Sequence, residues 1–109
     1  MIKVYVAGPY TKGDVAVNVG NAITAADELF DNGFAPYVPH LTHFWHMIYP
    51  NKYEKWLQLD TEFLLLCNVV LRLDGDSEGA DKEVITAQNA GIPIYYSVNE
   101  IVEHFGRMH

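Results

Sequence analysis

The feature that most constrains the fold is a change of period repeated along the chain. Short runs rich in Val, Ile and Tyr alternate with stretches of helical spacing, and Gly, Pro or Asp stands at most of the changes. IKVYVA (2–7) reads as a buried strand ending at the loop GPYTKGD. In NVGNAITAADELFDNG, the residues Ala22, Ala25, Ala26, Leu29 and Phe30 share one helical face and Gly33 stands where a C-cap glycine belongs, which predicts a helix over 18–32. APYVP (35–39) is a second strand, and HLTHFWHMIYPNKY, aromatic and histidine-rich without clear period, reads as a loop. A helix over about 53–66 leads to the strand VVLRL (69–73), the turn DGDSEGA, a helix over 78–90, the strand IPIYY (92–96) and a closing helix in VNEIVEHF. Such βαβ units, joined by right-handed crossovers, build a small doubly wound parallel sheet covered on both faces. The expectation is an α/β three-layer sandwich of flavodoxin-like or Rossmann-like form with about four or five strands. Ligands of these sheets bind beyond the carboxyl ends of the strands, where GPYTKGD, the histidine-rich segment and DGDSEGA meet.

The length of 109 residues, half of them hydrophobic, fits one core, so residues 1–109 are expected to form a single domain. Fourteen acidic residues against seven basic ones give a formal charge of −7. That balance argues against a nucleic-acid polymer or an anionic membrane as the main partner, while leaving a small anionic ligand open if local donors outweigh the global field. The one cysteine, Cys67, lies in the apolar run FLLLCNVVL and reads as core packing in a reducing compartment. The opening MIKVYVAGPY is too short an apolar run for a signal peptide, and no stretch reaches the ~20 residues of a membrane span, so a soluble cytoplasmic protein is expected.

Two carboxylates break the helical pattern. Turning each residue of the helix near 78–90 by about 100° puts Glu83 between Ala87 and Ala90, beside Ala80 and Val84. The same rotation puts Asp60 in the stripe formed by Trp56, Phe63, Leu64 and Cys67. Most other acids, such as Asp27, Asp31, Glu54 and Glu62, fall on polar faces or helix ends. A buried carboxylate is costly unless hydrogen-bonded, paired or neutralised. One alone is often a structural group; two on converging elements suggest a site, and paired carboxylates belong to glycosidic chemistry.

YVAGPYTKG after the first strand, an aspartate in the helix before the third strand, and SEGADKEV opening the next helix resemble the nucleoside 2-deoxyribosyltransferase superfamily over nearly the whole chain. That superfamily includes transferases that exchange bases on deoxyribose, hydrolases that cut the N-glycosidic bond of nucleoside 5′-monophosphates, and short members of unknown activity. The resemblance implies that Glu83 is the nucleophile, forming an ester with C1′ of the sugar, and that Asp60 assists near the base or the sugar. It implies that Gly79 and Ala80 leave room for the sugar to approach Glu83, and that Gly8, Pro9 and Tyr10 touch substrate, with Thr11 and Lys12 as donors to phosphate. Six places before the nucleophile the base-exchanging transferases carry an aspartate for the 5′-hydroxyl, whereas the hydrolases carry a phosphate-binding serine; here the residue is Ser77. A neutral hydroxyl at a helix N-terminus suits a phosphate, although Ser77 also reads as an ordinary N-cap.

GPYTKGD is neither a Walker A loop nor a Gly-x-Gly-x-x-Gly dinucleotide motif, and no cofactor is expected. His40, His43 and His46 are spaced three apart, but no second cluster of ligands completes a metal site, so a loop in which His40 and aromatic rings meet a base is the preferred reading. Phe44, Trp45 and Tyr49 are alternatively core or dimer contacts.

The expected activity is cleavage of a nucleoside 5′-monophosphate through a glycosyl-glutamate, with base exchange on nucleosides or a non-catalytic nucleotide-sensing module as alternatives. The expected partners are a small nucleotide or nucleoside and, from the resemblance, further copies of the chain in a homodimer or larger assembly, with the aromatic segment and IYYSVNE as candidate contacts.

Overall fold

The computed structural model describes residues 1–106. Among them, four strands form one parallel sheet: β1 (Lys3–Ala7), β2 (Ala35–Tyr37), β3 (Val69–Arg72) and β4 (Ile94–Tyr95). The helices are α1 (Val15–Asp31), α2 (Thr42–Ile48), α3 (Tyr53–Leu64), α4 (Glu78–Asn89) and α5 (Val98–Phe105), with a 3₁₀ turn at Pro39–Leu41. The spatial order is β2-β1-β3-β4. Val4 stands opposite Pro36 on one side and Val69 on the other, and Val70 stands opposite Ile94.

Strand alternation divides the interior into two layers. Val4, Val6, Val69 and Leu71 point to one face and pack with Ala22, Ala25 and Leu29 of α1, Phe34, and Ile101 of α5. Tyr5, Ala7 and Val70 point to the other and pack with Leu64 and Cys67 at the end of α3 and with Ala80 and Ala87 of α4. The expected three-layer sandwich is therefore present, with α1 and α5 on one side and α3 and α4 on the other. Leu29, Phe34, Leu64, Leu71 and Ile101 are fully buried, each side chain contributing about 1.5–3 kcal/mol relative to exposure. Among the described residues, no helix is long and apolar enough to cross a membrane.

Several boundaries differ from the sequence reading. α1 begins at Val15 because the Asp14 carboxylate accepts from the Val17 amide, a side-chain N-cap that starts the helix three residues before Asn18. The segment read as an aperiodic loop after Pro39 is helical over Thr42–Ile48. None of its residues is buried, so it lacks the apolar stripe that periodicity detects. Phe30, expected on the buried face of α1, is 64% exposed. The outer strands are shorter than expected: β2 gives way to the 3₁₀ turn that starts at Pro39, and β4 keeps two residues after Pro93, which has no N–H to donate.

Candidate active site

From β1 the chain moves through α1 to β2 at one edge, and later returns to β3 on the opposite side of β1. The carboxyl ends of β1 and β3 thus flank the point where winding reverses, the usual crevice of an open α/β sheet. A cavity of about 700 Å³ opens there, within the range of small-molecule sites. Glu83, Asp60, Gly8, Tyr10, Thr11, Lys12, His40, Ser77, Gly79 and Ala80, all singled out from the sequence, line it. Pro9 does not line it: its ring lies against the β3–α4 turn, where a Cβ on Gly75 would come within 2.8 Å of Pro9 Cγ. Gly75 has φ +113°, so that turn requires glycine on both counts. Arg72 braces the same turn, donating to the carbonyls of Leu73 and Gly75 and to Asp81 Oδ1 on α4 at 3.0 Å.

At the floor of the cavity the Tyr5 hydroxyl donates to Glu83 Oε2. Burial pushes the Glu83 carboxyl up to about 7, opposed by the Tyr5 hydrogen bond and reinforced by the nearby Asp60. Burial also pushes Asp60 up to about 7, and its Oδ1 is buried with no hydrogen-bond partner among the described residues. The environments diverge where the acidities do not. Glu83 has a donor that favours its anion, whereas Asp60 lacks one and keeps its proton more readily. Tyr5 itself is held far above the ordinary phenol range, by burial first and by Glu83 second, so it remains a donor.

Tyr5 was not singled out from the sequence, where it passes for a core aromatic within IKVYVA. The available signal was strand alternation, which turns it to the face opposite Val4 and Val6, the one α4 covers.

The N-terminus of α4 forms one end of the cavity. Ser77 is its N-cap, with Oγ accepting from the Ala80 amide at 3.1 Å, and it also faces the cavity, so both readings of this residue describe its position. Lys12 reaches across from the β1–α1 loop and pairs with Asp76 at 2.7 Å on the surface. Gly79 lies under the Tyr53 hydroxyl, which would stand 3.2 Å from an added Cβ. Ala80 is 1% exposed within the core between α4 and the sheet. Their small size thus serves a tyrosine and the core as well as cavity space. Tyr53, at the start of α3, is a further lining residue that pattern reasoning passed over.

The three histidines of HLTHFWH take separate partners. His40 is buried, and its Nε2 lies 3.2 Å from the Gly8 carbonyl and 3.0 Å from that of Pro9, so it ties the 3₁₀ turn to the β1 loop. Burial lowers its basicity, partly offset by these carbonyls. His43 Nδ1 shares a 2.6 Å hydrogen bond with the Tyr10 hydroxyl. His46 Nδ1 accepts from Trp56 Nε1 at 2.8 Å and from the Asn51 amide at 3.2 Å. Among the described residues, no three His, Cys, Asp or Glu side chains are grouped to hold a metal ion. Phe44, Trp45 and Tyr49 are exposed on and just after α2, which excludes the core role considered for them.

Residues 2–97 match the model of a family described as "Domain of unknown function (DUF7768)". Among solved structures the chain is similar to a 2-deoxyribosyltransferase from the psychrotolerant bacterium Bacillus psychrosaccharolyticus, described as a suitable biocatalyst for the industrial synthesis of antiviral and antitumoral nucleosides. The TM-score is 0.62 at 20% identity, over 84% of this chain and 69% of that one, a likeness of fold. No curated protein matches the chain.

Proposed function

We propose that this chain, which belongs to the DUF7768 family, is an enzyme that cleaves the N-glycosidic bond of a nucleoside 5′-monophosphate, with Glu83 as nucleophile. The observation that carries the reading is the Tyr5–Glu83–Asp60 constellation: two carboxyls on one cavity, one with a hydroxyl donor for its anion and one without. The fold shared with a 2-deoxyribosyltransferase lends it support.

In this reading an oxygen of the Glu83 carboxylate attacks C1′, the C1′–N bond breaks, and its electron pair leaves with the base. The protonated Asp60 carboxyl supplies the proton that neutralises the departing nitrogen. Water, losing a proton to the Asp60 carboxylate, then attacks C1′ of the glycosyl ester and releases the sugar and the Glu83 carboxylate. The 5′-phosphate lies at the α4 end, where Ser77, Thr11, Lys12 and the first-turn amides supply donors.

A second reading, base exchange on nucleosides, is favoured by a specific observation. Lys12 is already paired with Asp76, and Glu78 and Asp81 stand in the first turn of α4, a setting less hospitable to a dianion than to a 5′-hydroxyl. In both readings a homodimer or larger homo-oligomer is supported by the exposed Phe44, Trp45, Ile48 and Tyr49, which a second copy would cover.

Chromatography for free base after incubation with nucleoside and deoxynucleoside 5′-monophosphates, and with the matching nucleosides, tests the choice. Release from monophosphates alone is the expected result. Exchange confined to nucleosides would transfer the assignment to the second reading, and nucleotide binding without turnover would leave a sensing module.

Tyr5→Phe should lower kcat/KM at pH 7 by roughly 10-fold to 100-fold. The lost hydroxyl favours the Glu83 anion, so its removal raises the Glu83 pKa further and moves the acidic limb of the kcat/KM profile to higher pH. An unmoved limb would show that Tyr5 does not set the ionisation of Glu83.

A further inference from the structure

We infer that His46 is a specificity-determining residue that reads a hydrogen-bond acceptor on the base, through a ring locked in one tautomer by Trp56 and Asn51. The inference rests on the glycosidic reading for the identity of the ligand, but its physical basis is independent of it. His46 Nδ1 receives two N–H groups, from Trp56 Nε1 at 2.8 Å and from the Asn51 backbone at 3.2 Å. A nitrogen that accepts from both carries no proton, so the neutral ring has its hydrogen on Nε2. The Trp56 ring packs edge-on against His46, with centroids 5.7 Å apart, and Trp45 packs edge-on against Trp56 at 5.0 Å, which fixes the plane of the imidazole.

The Nε2–H group has no hydrogen-bond partner among the described residues and is not buried, and His46, Asn51 and Trp56 all line the cavity. The group is an unpaired donor on a ring that lines the cavity. With C1′ placed at Glu83 and the 5′ end at Ser77, the wall formed by α2 and the first half of α3 is left to the base. A donor there selects a carbonyl oxygen or an unprotonated ring nitrogen and penalises a base that presents an N–H in that place, since two opposed donors stay unpaired.

Long-range ¹H–¹⁵N correlation of ¹⁵N-histidine-labelled protein tests the tautomer directly. The expected spectrum has His46 with Nδ1 unprotonated and Nε2 protonated, and the Nε2 resonance moves on addition of hypoxanthine or uracil, the probes for free purine and pyrimidine bases. In the same titration His46→Phe should weaken binding of the responding base by roughly 10-fold to 100-fold, and His46→Gln, whose amide N–H reaches a similar position, should restore most of it. A proton on Nδ1 overturns the inference, as does an Nε2 resonance indifferent to both bases or a His46→Phe protein that binds them as tightly. These outcomes are read without turnover, so a base that shifts His46 in a protein inert toward every nucleoside and nucleotide sinks the catalytic reading and leaves the base contact standing.

Discussion

Glu83→Gln is expected to abolish turnover while leaving ligand binding in place. The amide is isosteric with the carboxyl and keeps an oxygen to accept from the Tyr5 hydroxyl, so the floor of the cavity is preserved. What disappears is the anion that attacks C1′ in the proposed reaction. Loss of a nucleophile that acts as one unit with its partners should reduce kcat by about 10⁴-fold or more, with substrate affinity held within about 3-fold because an uncharged amide serves as well for binding. Mass spectrometry of acid-quenched wild-type protein should find a glycosyl adduct on the peptide carrying Glu83, absent from the variant. Comparable rates of base release by the two proteins would remove Glu83 from the nucleophile's role, and equal binding with no turnover by either would reduce the cavity to a sensor.

Asp60→Asn is expected to separate activity from stability in opposite directions. The Asp60 carboxyl is raised from an ordinary 3.8 to about 7 by burial, so the folded state holds its proton more tightly than the unfolded state does. A carboxyl shifted upward weakens folding progressively as pH rises from the unfolded to the folded value, and the loss is complete above both. The relevant window is therefore about pH 4 to 7. At 1.36 kcal/mol per unit the full shift corresponds to roughly 4 kcal/mol, which solvent reaching Asp60 through the cavity reduces to roughly 2 kcal/mol. The asparagine variant carries no such penalty. It should melt roughly 10 °C above wild type at pH 8 and nearly with it at pH 4, while kcat falls about 10²-fold to 10⁴-fold for want of the general acid. Melting curves that differ by the same amount at both pH values would show that the gain is not electrostatic, and undiminished kcat would assign protonation of the base to another group.

Much of this is legible in the sequence because helices obey one rotation per residue. That rule alone turns Asp60 and Glu83 toward the interior, and both line the same cavity. The alternation of strands and helices likewise yields the three layers, since Gly, Pro or Asp marks most of the changes between them. What escapes pattern reading is information carried by the partner rather than by the segment. Tyr5 reads as core because its neighbours Val4 and Val6 are core, and the acid that accepts its hydrogen bond lies 78 positions away. α2 is invisible to periodicity because its apolar residues face outward, so it has no inner stripe to detect. His40 reads as a ligand contact, yet its Nε2 is spent on two backbone carbonyls, a use that depends on where the β1 loop happens to pass.

The sheet ends on both sides in very short strands, three residues in β2 with Pro36 among them and two in β4 directly after Pro93. Borders of that length offer few free amides and carbonyls, and Pro36, whose neighbour Ala35 donates inward to Ile2, leaves the outer edge of β2 one donor fewer, so strand-by-strand addition between copies has little to template on. The chain is thereby shielded from the open-ended stacking to which an exposed parallel sheet is prone.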